Sequence, residues 1–199
     1  MADEKAASCR PAKLAHVVLR TRDNYQRMFE WYRTVLNAEV VFDAPGVAFL
    51  TYDDEHHRIA IAEVPTLAPI PPNEPPRQGM DHVAFTYADI EDLLETFARL
   101  KDEGIEPFGS VNHGPTTSLY YRDPDGNRIE LQVDNFADMK KATDLMRETF
   151  DINPVGVDFD PDAAYRALKN GADKAALIRP PAKDELRSPS PDLLARLSS

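Results

Sequence analysis

Two stretches of this chain read as copies of one another, and that repetition limits the fold before any single element is assigned. AHVVLRT, residues 15–21, matches DHVAFTY, residues 81–87, so His16 and His82 stand 66 residues apart (82 − 16) at the heads of two apolar strands. The same spacing aligns NAEVVF from Asn37 with EGIEPF from Glu103. A spacing of 70 aligns AFLTYDDEHHRIAI from Ala48 with SLYYRDPDGNRIEL from Ser118. Between the first two strands of each copy lies a helical stretch, 25–36 and 90–103. In the second, Ile90, Leu93, Leu94, Phe97 and Leu100 recur at the spacing that builds one apolar helix face. Asp23 and Asp89 are placed to start these helices, and Gly104 to end the second. Asp123-Pro124-Asp125-Gly126 reads as the turn of the last hairpin, where copy one has Asp53-Asp54-Glu55-His56.

Each copy thus reads strand, helix, then three strands. The expected class is α+β, with two repeated βαβββ modules, residues 12–65 and 80–134, forming a paired, partly open mixed-sheet barrel. The proline-rich stretch 66–79 between them can continue neither a ladder nor a helix and reads as a linker. From residue 135 the pattern changes to a helical C-terminal appendage, 135–199, with helices near 136–150 and 161–170. Its Pro/Ser-rich end is expected to fray. The appendage is too short and too broken by proline to build a core of its own, so apolar residues such as Met139, Leu145, Met146 and Phe150 ask for a partner surface.

With 199 residues, 42% of them hydrophobic, the chain can bury a core without disulfide staples. Its one cysteine, Cys9, lies in a polar N-terminal stretch, so no disulfide framework exists and the thiol reads as unreactive and intracellular. No apolar run approaches the roughly 20 residues of a membrane span. MADEKAASCRPAK also lacks the apolar centre of a signal peptide, so a cytoplasmic location is expected. A net charge of −11 opposes phosphate backbones and anionic membranes, which argues against nucleic-acid and membrane partners.

All five histidines, at 16, 56, 57, 82 and 113, fall within the repeat. A lone strand histidine is most often a packed or surface residue. Two at equivalent positions can converge on one point if the modules pack about a pseudo-twofold axis. Glu130, in the mostly apolar strand RIELQVD, would need no explanation if it faced solvent, but an inward carboxylate there is costly without a cation to pair it. At the spacing of 70 its equivalent in copy one is Ala60, so copy one contributes only His16. The candidate metal ligands are therefore His16, His82 and Glu130, with further coordination positions left open. Two neutral imidazoles and one carboxylate suit Fe(II) sites of oxygen activation, although ligand type alone leaves zinc and manganese open. Open positions mark a catalytic rather than a structural ion.

Four stretches, EHHRIAIAEVP, GMDHVAFTYADIEDL, NHGPTTSLYYRD and DPDGNRIELQVD, together resemble the catalytic half of the type I extradiol catechol dioxygenases. These belong to the vicinal oxygen chelate superfamily, which also holds glyoxalase I and the bleomycin resistance proteins. The resemblance covers about residues 12–134; DPDGNRIEL is common across the superfamily, and the HH pair with His113 and Tyr120 is more specific. It implies that His16, His82 and Glu130 form the metal triad, holding Fe(II) with Mn(II) as the alternative ion. It further implies that His57 is the acid/base, that His113 and Tyr120 hydrogen-bond the substrate oxygen, and that the partners are a catechol, dioxygen and further copies in a homo-oligomer. The chain departs from larger members in lacking their N-terminal noncatalytic module pair, and its loop from His113 to Glu130 is shorter. His56 reads as a solvent-facing turn residue, and Tyr121 and Trp31 as packing.

The chemistry asks for such residues on its own terms. A catechol must lose a proton to chelate a metal, and a histidine with a pKa near neutrality can take it. The metal holds the electron-rich ring beside dioxygen, and Tyr or His donors steady charge left on oxygen. A lyase or isomerase resembling glyoxalase I or methylmalonyl-CoA epimerase competes with this reading, but it asks for a further carboxylate from copy one. Ala60 stands there, and Glu63, three residues out of step, faces the other side of its strand. A metal-free module resembling the bleomycin resistance proteins would have no use for five histidines and Glu130. No arginine pair stands out as a clamp for a substrate carboxylate, which favours a hydrophobic or bicyclic catechol. The appendage would then close one side of the pocket or brace a subunit contact.

Overall fold

The computed structural model describes residues 10–69, 78–184 and 186–198. Cys9 and most of the proline-rich stretch lie outside them. The chain divides into two compact units, Met1–Pro75 and Pro76–Ser199. The class is α+β, with two mixed sheets, each open at its edges.

In the first unit β1 (Val17–Thr21) leads into α1 (Tyr25–Val35), followed by β2 (Glu39–Ala44), β3 (Val47–Thr51) and β4 (Ile59–Glu63). The sheet order is β1-β4-β3-β2, with β1 and β4 parallel and the other pairs antiparallel. Met28, Phe29, Tyr32 and Val35 form the buried stripe of α1, and Leu19, Leu50, Ile59 and Ile61 are buried in the strands. Because strand side chains alternate, His16, Val18, Phe49 and Ala60 belong to the opposite face. The first helix does not use an Asp23 cap. Its N-cap is Asn24, which makes no side-chain capping bond; its backbone N–H instead donates to the Thr21 hydroxyl, which turns the chain out of β1.

The second unit repeats the order with β5 (His82–Tyr87), α2 (Ile90–Asp102), β6 (Gly109–Asn112), β7 (Thr116–Arg122) and β8 (Arg128–Asp134). The parallel register Val18↔Ala60 in the first sheet has its counterpart in Ala84↔Glu130 in the second, so Ala60 and Glu130 are equivalent in space as well as in sequence. Both helices end alike. The N–H of Ala38 donates to Arg33 O and that of Ile105 to Leu100 O, with Asn37 (φ 48°) and Gly104 (φ 76°) taking the left-handed position. The expected match of NAEVVF with EGIEPF is not met. The strand paired with β7 begins at Gly109, about 70 residues after its counterpart at Glu39, so the extra residues of copy two lie between α2 and β6.

Asp89 caps α2 by accepting from the Asp92 N–H, and its other oxygen meets Lys174. Lys174 and the capping bond hold its carboxyl below the usual carboxylate range. Asp89→Ala is therefore expected to destabilise the fold by about 1 kcal/mol, read as a lower melting midpoint at neutral pH. Since the folded pKa is depressed, this contribution is present above the unfolded carboxylate value and fades as the pH falls through the folded one. An unchanged midpoint at neutral pH would refute the cap.

The appendage packs against the second unit. Its strand β9 (Val157–Asp158) adds to the edge of β6, Asn112 opposite Val157, and gives the order β5-β8-β7-β6-β9. A bare edge strand is a liability for mispairing, and β9 covers it. Helix α4 (Pro161–Lys169) lies on α2, where Asp162 meets Lys101 at 2.7 Å and both Tyr165 and Lys169 meet Glu95. Between β8 and β9 runs α3 (Met139–Thr149), and α5 (Lys174–Leu177) follows α4. The end expected to fray is helical, α6 (Pro191–Ser198), because Leu193 and Leu197 pack against Phe108, Val111 and Tyr120. Of the residues expected to need a partner surface, Met139, Met146 and Phe150 instead remain exposed, and α3 buries Ala142 and Thr149.

Candidate active site

In the second unit the face opposite α2 gathers four polar side chains into one hydrogen-bonded chain. His82 opens β5, Tyr120 is on β7, Glu130 is on β8 beside it, and His113 comes from the β6–β7 hairpin. His82 Nε2 lies 2.9 Å from Glu130 Oε2. The Tyr120 hydroxyl lies 2.9 Å from Glu130 Oε1 and 2.9 Å from His113 Nε2. Tyr120 and Glu130 are directly opposite in the β7–β8 ladder, which is why their side chains meet.

Glu130 is 5% exposed, so its charge is not held by water. Burial alone would raise its carboxyl, but hydrogen bonds with His82 and Tyr120 outweigh that and keep it below the usual range. His82 responds in the opposite sense. The Glu130 hydrogen bond, stronger than the burial that opposes it, and a second bond from Asp81 push its pKa up to about 9. Burial lowers the pKa of the His113 ring and raises that of the Tyr120 phenol, with Glu130 adding to the latter. At neutral pH the set is thus a carboxylate, an imidazolium proton shared with it, a neutral imidazole and a phenol.

Asp81 was not anticipated. Its Oδ2 lies 2.6 Å from His82 Nδ1 and its Oδ1 2.9 Å from Arg128, so it orients the His82 ring and points Nε2 at Glu130. The sequence signal was the acidic residue directly before the strand histidine, which copy one replaces with Ala15.

In the first unit the histidines form a separate group. The His57 ring stacks on His16 with centroids 4.4 Å apart and on Phe49 at 4.8 Å. His56 faces solvent, as expected, yet its Nδ1 lies 2.6 Å from His57 Nδ1. Partial burial, then the neighbouring His16 and His56, hold the His57 pKa below its ordinary value. Tyr121 is fully buried on the α2 side of its sheet, in keeping with packing alone.

Among the described residues no group of three or more His, Cys, Asp or Glu is gathered so as to hold a metal ion. His82 and Glu130 nonetheless fit one in chemistry. An imidazole nitrogen and a buried carboxylate oxygen already share a cation, the proton, and a divalent ion would replace it. No helix among the described residues is long and apolar enough to cross a membrane.

A family profile, that of the Glyoxalase/Bleomycin resistance protein/Dioxygenase superfamily, matches residues 13–131. Biphenyl-2,3-diol 1,2-dioxygenase 2 of Rhodococcus globerulus is 48% identical over 160 residues, 80% of this chain and 83% of that protein. Biphenyl-2,3-diol 1,2-dioxygenase 3 of the same organism is 45% identical over 166 residues, 83% of this chain and 86% of that protein. Among solved structures, a glyoxylase/bleomycin resistance protein/dioxygenase domain from Frankia sp. EAN1pec superposes with a TM-score of 0.51 at 19% identity. It covers 65% of this chain and 96% of its own, which is a likeness of fold.

Proposed function

Because the chain belongs to the glyoxalase/bleomycin resistance protein/dioxygenase superfamily, we propose that it is an extradiol ring-cleavage dioxygenase acting on a hydrophobic or bicyclic catechol. The observation that carries this is the chain His113–Tyr120–Glu130–His82 on the face of the second sheet opposite α2, in a protein 48% identical to a biphenyl-2,3-diol dioxygenase. The resident metal is iron, as Fe(II), with Mn(II) as the alternative. Its ligands are His82 and Glu130, and His16, which occupies in the first unit the position that His82 holds in the second. The assignment of His16 rests on that equivalence and on the family pattern. A homo-oligomer working in the cytoplasm completes the reading.

When bound, the iron would supply the path for electrons between catechol and dioxygen. The chain's own residues handle protons and position. His57, kept neutral at neutral pH, takes a catechol proton. Tyr120 stays a phenol and His113 stays neutral beside it, so the pair can hydrogen-bond a substrate oxygen without adding charge next to the metal ligands. Phe108, Leu193 and Leu197 pack against Tyr120 and hold its ring in place. Both atoms of dioxygen enter the product, and the ring opens beside the two hydroxyls. The lyase reading lacks its carboxylate, since Ala60 faces Val18 where Glu130 faces Ala84.

The test is dioxygen uptake by protein loaded with Fe(II), with biphenyl-2,3-diol as the first substrate. One dioxygen consumed per catechol and a yellow ring-opened oxo-dienoate are expected. No uptake across a broad catechol panel, together with glyoxalase or epimerase turnover, would overturn the assignment.

A further inference from the structure

Two parts of the chain with no repeat relationship meet at the His113 ring. Its Nδ1 hydrogen-bonds the backbone carbonyl of Val155, in the turn just before β9. A carbonyl only accepts, so Nδ1 must carry the proton, and the neutral ring presents a bare Nε2 to the Tyr120 oxygen 2.9 Å away.

The Val155 carbonyl is itself held. Asn153 is 6% exposed; its Oδ1 accepts from the N–H groups of Val155 and Gly156 at 3.0 and 2.7 Å, and its Nδ2 donates to Gly156 O and Arg187 O at 2.8 and 2.9 Å. Gly156 has φ +117°, and a Cβ there would collide with the Asn112 carbonyl and stand 2.7 Å from His113 Cα. From the other side, Asn112 Oδ1 accepts from the Gly114 N–H at 2.9 Å, which fixes the backbone next to His113.

We propose that the turn Asn153–Gly156 is a positioning device for the active site: through the Val155 carbonyl it locks His113 as the Nδ1–H tautomer, making Nε2 the acceptor for the Tyr120 phenol. The tautomer matters because the phenol has one proton and two neighbours, His113 Nε2 and Glu130 Oε1. With Nε2 bare, the phenol proton can turn to His113 and leave the Glu130 oxygen to the metal. With Nε2–H, the ring would donate to the Tyr120 oxygen, push the phenol proton onto Glu130, and compete with the cation there. This catalytic consequence rests on the dioxygenase reading, whereas the tautomer itself does not. Asn153 and Gly156 act through His113 and touch no reactant.

Long-range proton–nitrogen NMR spectra of full-length, ¹⁵N-histidine-labelled protein, with diamagnetic Zn(II) in place of iron, read the tautomer directly. His113 is expected to show a protonated Nδ1 and a bare Nε2. Asn153→Leu and Gly156→Ala should each populate the other tautomer and, compared with the unaltered protein at matched Fe(II) content, lower kcat about tenfold with a much smaller change in KM. An Nε2–H ring in the unaltered protein would overturn the proposal, and so would variants that lose kcat while keeping the Nδ1–H tautomer. Should either variant fail to fold, the spectrum of the unaltered protein still decides. A protein with the Nδ1–H ring but no dioxygen uptake would sink the dioxygenase reading and leave the clamp standing.

Discussion

Glu130→Ala and His82→Ala are each expected to reduce both stoichiometric metal and dioxygen uptake to background. Glu130 supplies the one anionic oxygen on its face that is both buried and paired with an imidazole, so its loss removes the charge that would balance a divalent ion. The fold should tolerate the change better than the site does. Once the carboxylate is gone, His82 keeps its bond to Asp81, and no buried charge is left without a partner. A melting midpoint near that of the unaltered protein, alongside metal content near zero, is the combination that separates a ligand from a structural ion pair. His82→Ala differs in leaving Glu130 buried with Tyr120 as its remaining donor, and should destabilise more. His16→Ala carries the same expectation for metal and turnover and tests the third ligand independently. Elemental analysis of protein purified without chelator, paired with an oxygen electrode, makes the measurement. A Glu130→Ala protein with full iron and full activity would refute the assignment.

The second half of the site was legible because it is built from local rules. Strand alternation puts Tyr120 and Glu130 on one face, and the repeat spacing of 70 correctly pairs Glu130 with Ala60, as the matching registers show. The face of α2 follows from helical spacing, and all five expected residues are buried. What the sequence concealed depends on contacts between distant segments. The Val155 carbonyl reaches His113 across 42 residues through a two-residue strand too short to show any periodicity. Leu193 and Leu197 lie in a stretch whose proline and serine content suggested fraying, yet two leucines one helical turn apart suffice once Phe108 and Tyr120 offer a surface. Asp81 was overlooked for a different reason: an acidic residue before a strand reads as a surface position until the neighbouring histidine turns its Nδ1 toward it. The insertion before β6 escaped because Phe42 and Phe108 align in sequence while only the former lies in a strand.

His57→Gln should retain its metal and lose about 10²–10⁴-fold in kcat, the usual worth of general acid/base catalysis. The choice of His57 over His56 follows from how each ring is held. His57 is stacked between His16 at 4.4 Å and Phe49 at 4.8 Å, so its plane is fixed by packing. His56 has a side chain 68% exposed and leans on His57 through one Nδ1–Nδ1 contact of 2.6 Å. In that contact one nitrogen must donate and the other accept, so the two rings share a single proton between them. A base must be neutral before it acts and must hold its lone pair in a fixed direction. Partial burial and the two neighbouring imidazoles favour the neutral form of His57, and the stacking supplies the direction. His56→Gln keeps a polar partner for His57 and should change kcat only modestly. Single-turnover rates with protein of matched iron content isolate this step from metal loss. If His56→Gln showed the large drop while His57→Gln stayed active, the packed ring would not be the base, and the solvent-facing one would take its place.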